Sequence, residues 1–374
     1  MSSTLPFRSA LRRTALAQVR HVTPVTVRAA PPLVARVYAE MERDFGVLAP
    51  PLALHAPAPE LLAASWLTLR EALVADGLAD RAVKEAAASA VSLANTCPYC
   101  VTVHTATVNS LTRGRDAEAI AQDHFDAVAD PNLRAIATWA RDSAVRDTAA
   151  PLTPPFTSVQ APELIGVAVV FHYLNRMVNV FLPDAPMPDN VPRSSLPMVA
   201  RVLGTLMRRA SRRAIAPGTS ADLLPDAELP SDLAWAAGNP AVAAAFARAA
   251  RAVDEARDEA VPGSVADLLP RVLKSWDGRP PGLGRGWLDE AVAELPPADR
   301  PAGRLALLVA VASWRIDADT LADFVAPAFG SSGSSGGSGS SGRSDKALIQ
   351  LTSWAAFSAA RHIGAWIPRT GGLG

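Results

Sequence analysis

Cysteine is nearly missing from this chain: two stand among 374 residues, at positions 97 and 100. No second pair exists to complete a four-cysteine zinc site. Lysine is almost as scarce, limited to Lys84, Lys274 and Lys346, so arginine carries nearly all the positive charge. An excess of either sign is lacking as well, with 36 basic and 36 acidic side chains. That balance excludes nucleic acid or an anionic membrane as the main partner, since both select a positive surface. Long apolar runs are wanting too. The longest uncharged stretches, Leu164 to Leu174 and Leu305 to Trp314, fall well short of the ~20 residues that span a bilayer. The basic start of the chain, with Arg8, Arg12, Arg13, Arg20 and Arg28, has no apolar h-region. It reads as a helix over Leu5 to Arg20 and an extended segment at Pro24, or alternatively as an organellar transit peptide. The expected compartment is the cytoplasm, where thiols stay reduced and a lone cysteine pair serves chemistry rather than cross-linking.

Strand-like alternation is also hard to find. What is present is apolar content of 49%, enough for one large domain or two. Helical spacing dominates: Val34, Val37, Tyr38 and Met41 fall at i, i+3, i+4 and i+7. The expected fold class is all-α. Candidate helices cover 32–45, 59–76, 80–95, 97–112, 116–128, 131–146, 161–182 and 194–212. A Pro- and Asp-rich linker is expected over 214–230, then helices near 230–236, 239–257, 263–275, 284–294, 299–314, 317–326 and 344–366. The Gly/Ser tract 330–342 reads as a flexible loop. The expected division is a basic segment 1–30, a helical domain 31–213, the linker, and a second helical unit 231–374.

The two units look alike. Ala161 to Phe181 resembles Ser344 to Trp366, and Arg81 to Cys97 resembles Arg300 to Ile316. Pro240 to Ala256 resembles Pro32 to Ala49 more weakly. A degenerate two-fold repeat follows, with Ile316, Asp319 and Asp323 standing where the first copy has Cys97, Cys100 and His104. The competing explanation is chance similarity among Ala-rich helices.

The cysteines form Cys97-Pro98-Tyr99-Cys100, with His104 after them and Glu85 before. On a helix Cys97 and Cys100 lie about 60° apart, and Cys100 and His104 about 40° apart. Glu85 on one unbroken helix would sit about 18 Å from Cys97, too far to serve it. Asn95-Thr96 as an N-cap pair and Pro98 in a first turn predict a break at 95–96 and a new helix from Cys97. A first-turn cysteine faces the positive end of the helix dipole, which favours thiolate. His104 can take the Cys100 proton, Glu85 can orient the imidazole, and the second cysteine can resolve an oxidised sulfur as a disulfide. Rival readings are a zinc-stabilised module, short of ligands here, and two buried apolar cysteines. Cys-Pro-Tyr-Cys is also the glutaredoxin motif, but there it follows a strand, and here an Ala-rich helix precedes it.

The pattern Glu85-x11-Cys97-x2-Cys100-x3-His104 on Ala-rich helices resembles the AhpD-like alkylhydroperoxidase family of the carboxymuconolactone decarboxylase superfamily. The match is close over about 60–112 and looser to about 182. The resemblance implies an all-α thiol peroxidase in which Cys100 is the peroxidatic thiol and Cys97 the resolving thiol. His104 and Glu85 would form the proton relay. It also implies an external thiol or dithiol reductant, such as a lipoyl group, no metal or organic cofactor, and a homo-oligomer. Tyr99 replaces a histidine of the best-studied members. The superfamily's lactone decarboxylases lack the cysteine pair. A regulatory disulfide without turnover is the alternative.

Beyond this centre, His172, Asn175 and Arg176 crowd polar groups into an apolar helix. Together with Tyr99 they are candidate pocket residues; the alternative is a buried network that fixes helix packing. His21, His55 and His362 have no evident partner, His124 reads as a surface residue, and Trp66, Trp139, Trp314 and Trp354 read as core.

Overall fold

Alanine and leucine favour helix because they lose little side-chain freedom there, and the computed structural model is built from helices, with no strand among the described residues. The structure describes residues 4–112, 114–149, 153–187, 213–282, 284–326 and 340–367, with isolated positions between 192 and 210. The candidate helix 194–212 and the Gly/Ser tract thus lie almost wholly outside the described residues.

The helices are α1 (Thr4–Leu16), α2 (Pro32–Glu40), α3 (Pro50–Ala53), α4 (Pro59–Leu69), α5 (Arg81–Ala94), α6 (Pro98–Leu111), α7 (Asp116–Ala121), α8 (Pro131–Asp142), α9 (Arg146–Ala149) and α10 (Ala161–Phe181). The second unit contributes α11 (Pro240–Ala260), α12 (Gly263–Ser275), α13 (Gly286–Ala293), α14 (Arg300–Ala312), α15 (Ala318–Val325) and α16 (Ser340–Trp366). Five of the first ten begin on Pro at N1, where the missing N–H removes no bond.

At the centre lies α10, in which every residue except Asn179 is buried. It packs against α5, α4 and α16. It is long and apolar enough to cross a bilayer, but nearly all of it is covered by the rest of the protein. Burying each Val, Leu or Phe contributes about 1.5–3 kcal/mol, which makes α10 the main apolar support of the fold. The contact with α16 is tight: a Cβ on Gly364 would come 2.7 Å from Val169 Cγ2. One continuous hydrophobic cluster draws on both units.

Several elements differ from the pattern-based expectation. The candidate helices 32–45 and 59–76 each end in a π-helical turn, Met41–Phe45 and Arg70–Val74. A buried ion pair joins the two turns, Arg70 Nε to Asp44 Oδ2 at 2.9 Å, with Glu71 completing the cluster. Short α3 was not anticipated, although Pro50 and Pro51 at its start are a helix signal. The stretch 214–230 is not a free tether. Ile215 exchanges bonds with Asp76, Gly218 N–H donates to Glu71, and Arg70 donates to Ala216 O and Thr219. Helix α1 is held to the first π turn by Arg8 and Arg12 on Glu42. Trp66, Trp139 and Trp354 are core, whereas Trp314 is only partly buried.

Candidate active site

Helix α5 ends at Ala94 and α6 begins at Pro98, so the chain breaks where the sequence signals lie. The means differ from expectation. Asn95 caps the C-terminus of α5 and its side chain does not cap α6. Thr96 takes a left-handed backbone (φ 51°), Thr96 N–H bonds to Leu93 O, and Cys97 N–H bonds to Ser92 O. This is a Schellman closure with threonine in the place usually held by glycine. Cys97 is therefore both the residue leaving α5 and the N-cap of α6, outside the first turn. Cys100 falls at the third helical position, and His104 one turn on.

The break folds α5 against α6 and brings Glu85 to His104. His104 Nδ1 lies 2.6 Å from Glu85 Oε2. Arg81, one turn before Glu85, donates from Nε to its other oxygen at 2.8 Å. Glu85 is fully buried. Burial pushes its carboxyl up, but Arg81 and His104 together more than offset this and hold it below its ordinary value. An ionised carboxylate only accepts, so the Nδ1 hydrogen sits between the two and Nε2 is the ring nitrogen not engaged by Glu85. The imidazole is steadied from the other side by Phe171, edge-on at 4.5 Å. Sequence reasoning missed Arg81; its i, i+4 spacing to Glu85 was the available signal.

Both thiols are free and buried, Cys97 at 1% and Cys100 at 3% exposure. Burial, and next the adjoining Cys100, push the Cys97 thiol well above its ordinary range, while the Asn175 amide offsets a small part. Cys97 thus stands at the N-cap rather than in the first turn, and burial acts against the thiolate that the helix dipole would favour. Cys100 and His104 line a narrow cavity of about 60 Å³ whose other walls are Phe45, Val47, Leu52, Leu69, Phe171 and Leu174. Tyr99 also borders it, and its hydroxyl donates to Gln18 Oε1 at 3.1 Å, tying the N-terminal segment to the site. Cys97 instead borders an open groove of about 850 Å³ between α6 and α7. Among the described residues no cluster of three or more His, Cys, Asp or Glu forms a metal-ligating set.

The remaining candidates divide. His172 and Arg176 border neither of these cavities. They bind the loop behind the cysteines, with Asn175 beside them. Arg176 donates to Asn95 Oδ1 at 3.0 Å, Asn95 Nδ2 donates to Asn175 Oδ1 at 3.0 Å, and Asn179 donates to Asn95 O at 3.1 Å. His172 Nδ1 accepts from Asn95 Nδ2 at 3.0 Å. Burial, then the Arg176 charge, drive the His172 pKa well down, so it is neutral. The network reading of these residues fits the structure better than the pocket reading. Two histidines set aside in the sequence do have partners. His55 bonds Tyr173 Oη at 2.8 Å, and His362 meets Arg146 at 3.2 Å.

In the second unit α15 is capped by Asp317, which accepts from Thr320 N–H and Oγ1. The two-fold repeat expected from the sequence is not established by the structure; Asp317 and Cys97 share only the position of helix N-cap.

The fold and the site define an all-helical protein built around a vicinal dithiol backed by a buried Glu–His pair. The model of the carboxymuconolactone decarboxylase family matches residues 60–142, which hold Glu85, both cysteines and His104. An alkyl hydroperoxide reductase of Mycobacterium tuberculosis is 37% identical over 351 residues, covering 93% of this chain and 95% of that protein. The chain belongs to the carboxymuconolactone decarboxylase family, in agreement with the AhpD-like resemblance of its motif.

Proposed function

We propose that this protein is a thiol-dependent peroxidase of the alkylhydroperoxidase kind. The observation that carries this is the 2.6 Å His104–Glu85 bond in a cavity that His104 shares with Cys100. In the proposed cycle His104 Nε2 takes the Cys100 proton. The thiolate attacks one peroxide oxygen, the O–O bond breaks, and the leaving alkoxide takes the proton back from His104 as an alcohol. Cys100 is left as a sulfenic acid. The Cys97 thiol then attacks Cys100 Sγ, forming the S–S bond and releasing water with the Cys97 proton. Glu85 holds the imidazole tautomer and stabilises its charged form. An external thiol or dithiol, a lipoyl-bearing protein among them, restores the pair, with no metal or organic cofactor. Cytoplasmic location and a homo-oligomeric state belong to the same proposal. The apolar lining of the cavity supports an uncharged organic peroxide, and the curated relative's name accords with this.

The test is peroxide consumption with a dithiol in excess. Cys100→Ser is expected to lower the rate at least ~100-fold. Cys97→Ser should retain a single oxidation event, detectable as sulfenic acid, and lose turnover. Unchanged rates in both variants would sink the proposal. A disulfide that forms once without turnover would favour the regulatory alternative.

A further inference from the structure

We infer that helix α6 is a partition between two routes, with the peroxide reaching Cys100 from the enclosed side and the reducing thiol reaching Cys97 from the open groove. This rests on the peroxidase reading above and adds to it where each reactant enters. With the two cysteines almost wholly buried, each is approached only through the space its residue borders. Each residue borders a different space, and the helix period explains why. Pro98, Val101, Thr102 and Thr105 face the groove with Cys97. Tyr99, Val103 and His104 face the cavity with Cys100. An offset of about 60° between the two cysteines is enough to put one on each side.

The spaces differ in what they admit. A cavity of about 60 Å³ has room for a few waters, each needing about 10–15 Å³, enough for a hydroperoxide head but not for a carrier-borne dithiol. The groove is more than ten times larger, at about 850 Å³. Its walls are apolar and hydroxyl-bearing, and its one charged residue, Glu118, is paired with Arg115. It therefore fits an uncharged dithiol on a slender arm. In the reduction step a thiolate of that dithiol attacks Cys97 Sγ. A new S–S bond joins reductant and Cys97, the Cys97–Cys100 bond breaks, and the electron pair leaves on Cys100, which takes a proton. The dithiol's second thiolate then attacks its own sulfur in the mixed disulfide, and Cys97 departs and is protonated. The dithiol ends as a disulfide, two electrons poorer.

Two substitutions separate the routes in the full-length protein. Ala106→Trp narrows the groove and Val103→Trp fills the cavity. The half-reactions are followed separately by stopped flow. Oxidation is started with cumene hydroperoxide on reduced protein. Reduction is started with dithiothreitol on protein oxidised by diamide, so that arm reads out even if peroxide is not the oxidant. Ala106→Trp is expected to slow reduction about tenfold or more and leave oxidation within about twofold. Val103→Trp should do the reverse. Equal slowing of both steps by either variant, or unchanged reduction in Ala106→Trp, overturns the partition. If a tryptophan variant fails to fold, Ala106→Leu and Val103→Leu give smaller effects of the same crossed pattern. Wild-type protein that cumene hydroperoxide does not oxidise at all would instead overturn the peroxidase reading.

Discussion

Glu85 is fully buried yet held as a carboxylate, because Arg81 and His104 each take one of its oxygens. Three residues dispersed along the sequence make one charged unit, and only two of them were recognisable from the motif. His55 is the opposite case, a histidine with no sequence signal and a full set of partners. Its Nδ1–H donates to Leu52 O and its Nε2 accepts from Tyr173 Oη, and Tyr173 in turn meets Ser65. Burial holds its pKa down to about 4 from an ordinary value of 6.5. The unfolded chain therefore binds a proton below pH 6.5 that the folded protein refuses. Stability from this source is complete above 6.5 and is lost as the pH falls toward 4. Between pH 7 and pH 5 the loss is expected to be about 2 kcal/mol. Urea unfolding at the two pH values checks it: His55→Gln should flatten the pH dependence by that amount. His172 shifts in the same direction, so some dependence remains in the variant. An unaltered slope would contradict the assignment.

At the scale of elements, the α5–α6 junction decides where the dithiol sits. The proline at 98 and the polar pair before it marked a break in the sequence, but not its form. Which residue caps which helix depends on the left-handed turn at Thr96, and propensity does not reveal that for a β-branched residue. Such a backbone costs about 1–3 kcal/mol, against about 0.5–1 kcal/mol of chain entropy for glycine. Thr96 is exposed, so its side chain supplies little packing. Thr96→Gly is thus expected to raise stability by up to about 1 kcal/mol, read as a higher thermal midpoint, with the dithiol chemistry retained. A fall of similar size would show that the threonine is not strained. The π turns ending at Phe45 and Val74 were equally invisible to the spacing of apolar residues, since each lies at the end of its helix, where few residues follow to reveal the ~100° shift of face that one extra residue causes. Their effect is local: the first brings Phe45 onto the cavity wall.

Across the whole molecule, Arg176 ties the centre to the second unit. It donates to Asn95 Oδ1 and His172 O on one side and to Ala310 O at the end of α14 on the other. Trp276 lies 5.8 Å from its guanidinium, and no carboxylate among the described residues pairs with it. Burial lowers its pKa to about 9. Arg176→Leu would relieve a desolvated charge but leave two buried acceptors, Asn95 Oδ1 and Ala310 O, without their Arg176 donor, at about 1–3 kcal/mol each. A net loss of about 2–4 kcal/mol in urea unfolding is expected, with Arg176→Lys recovering only part because an ammonium cannot reproduce the planar fork. Full stability in the leucine variant would show that the network is dispensable. The resembling helices α10 and α16 pack against each other, with α5 on α10 and α14 on α16. The helical class and most helix positions were settled by the sequence alone, and Glu85, Cys97, Cys100 and His104 were legible there as a candidate group, because helix period, proline placement and residue chemistry are local. The tertiary structure alone decided that Arg81 completes the buried pair, that His172 and Arg176 serve the loop rather than a pocket, and that the two cysteines border different spaces. Those outcomes depend on which faces of distant helices meet, and burial and charge at such contacts are set by neighbours far away along the chain.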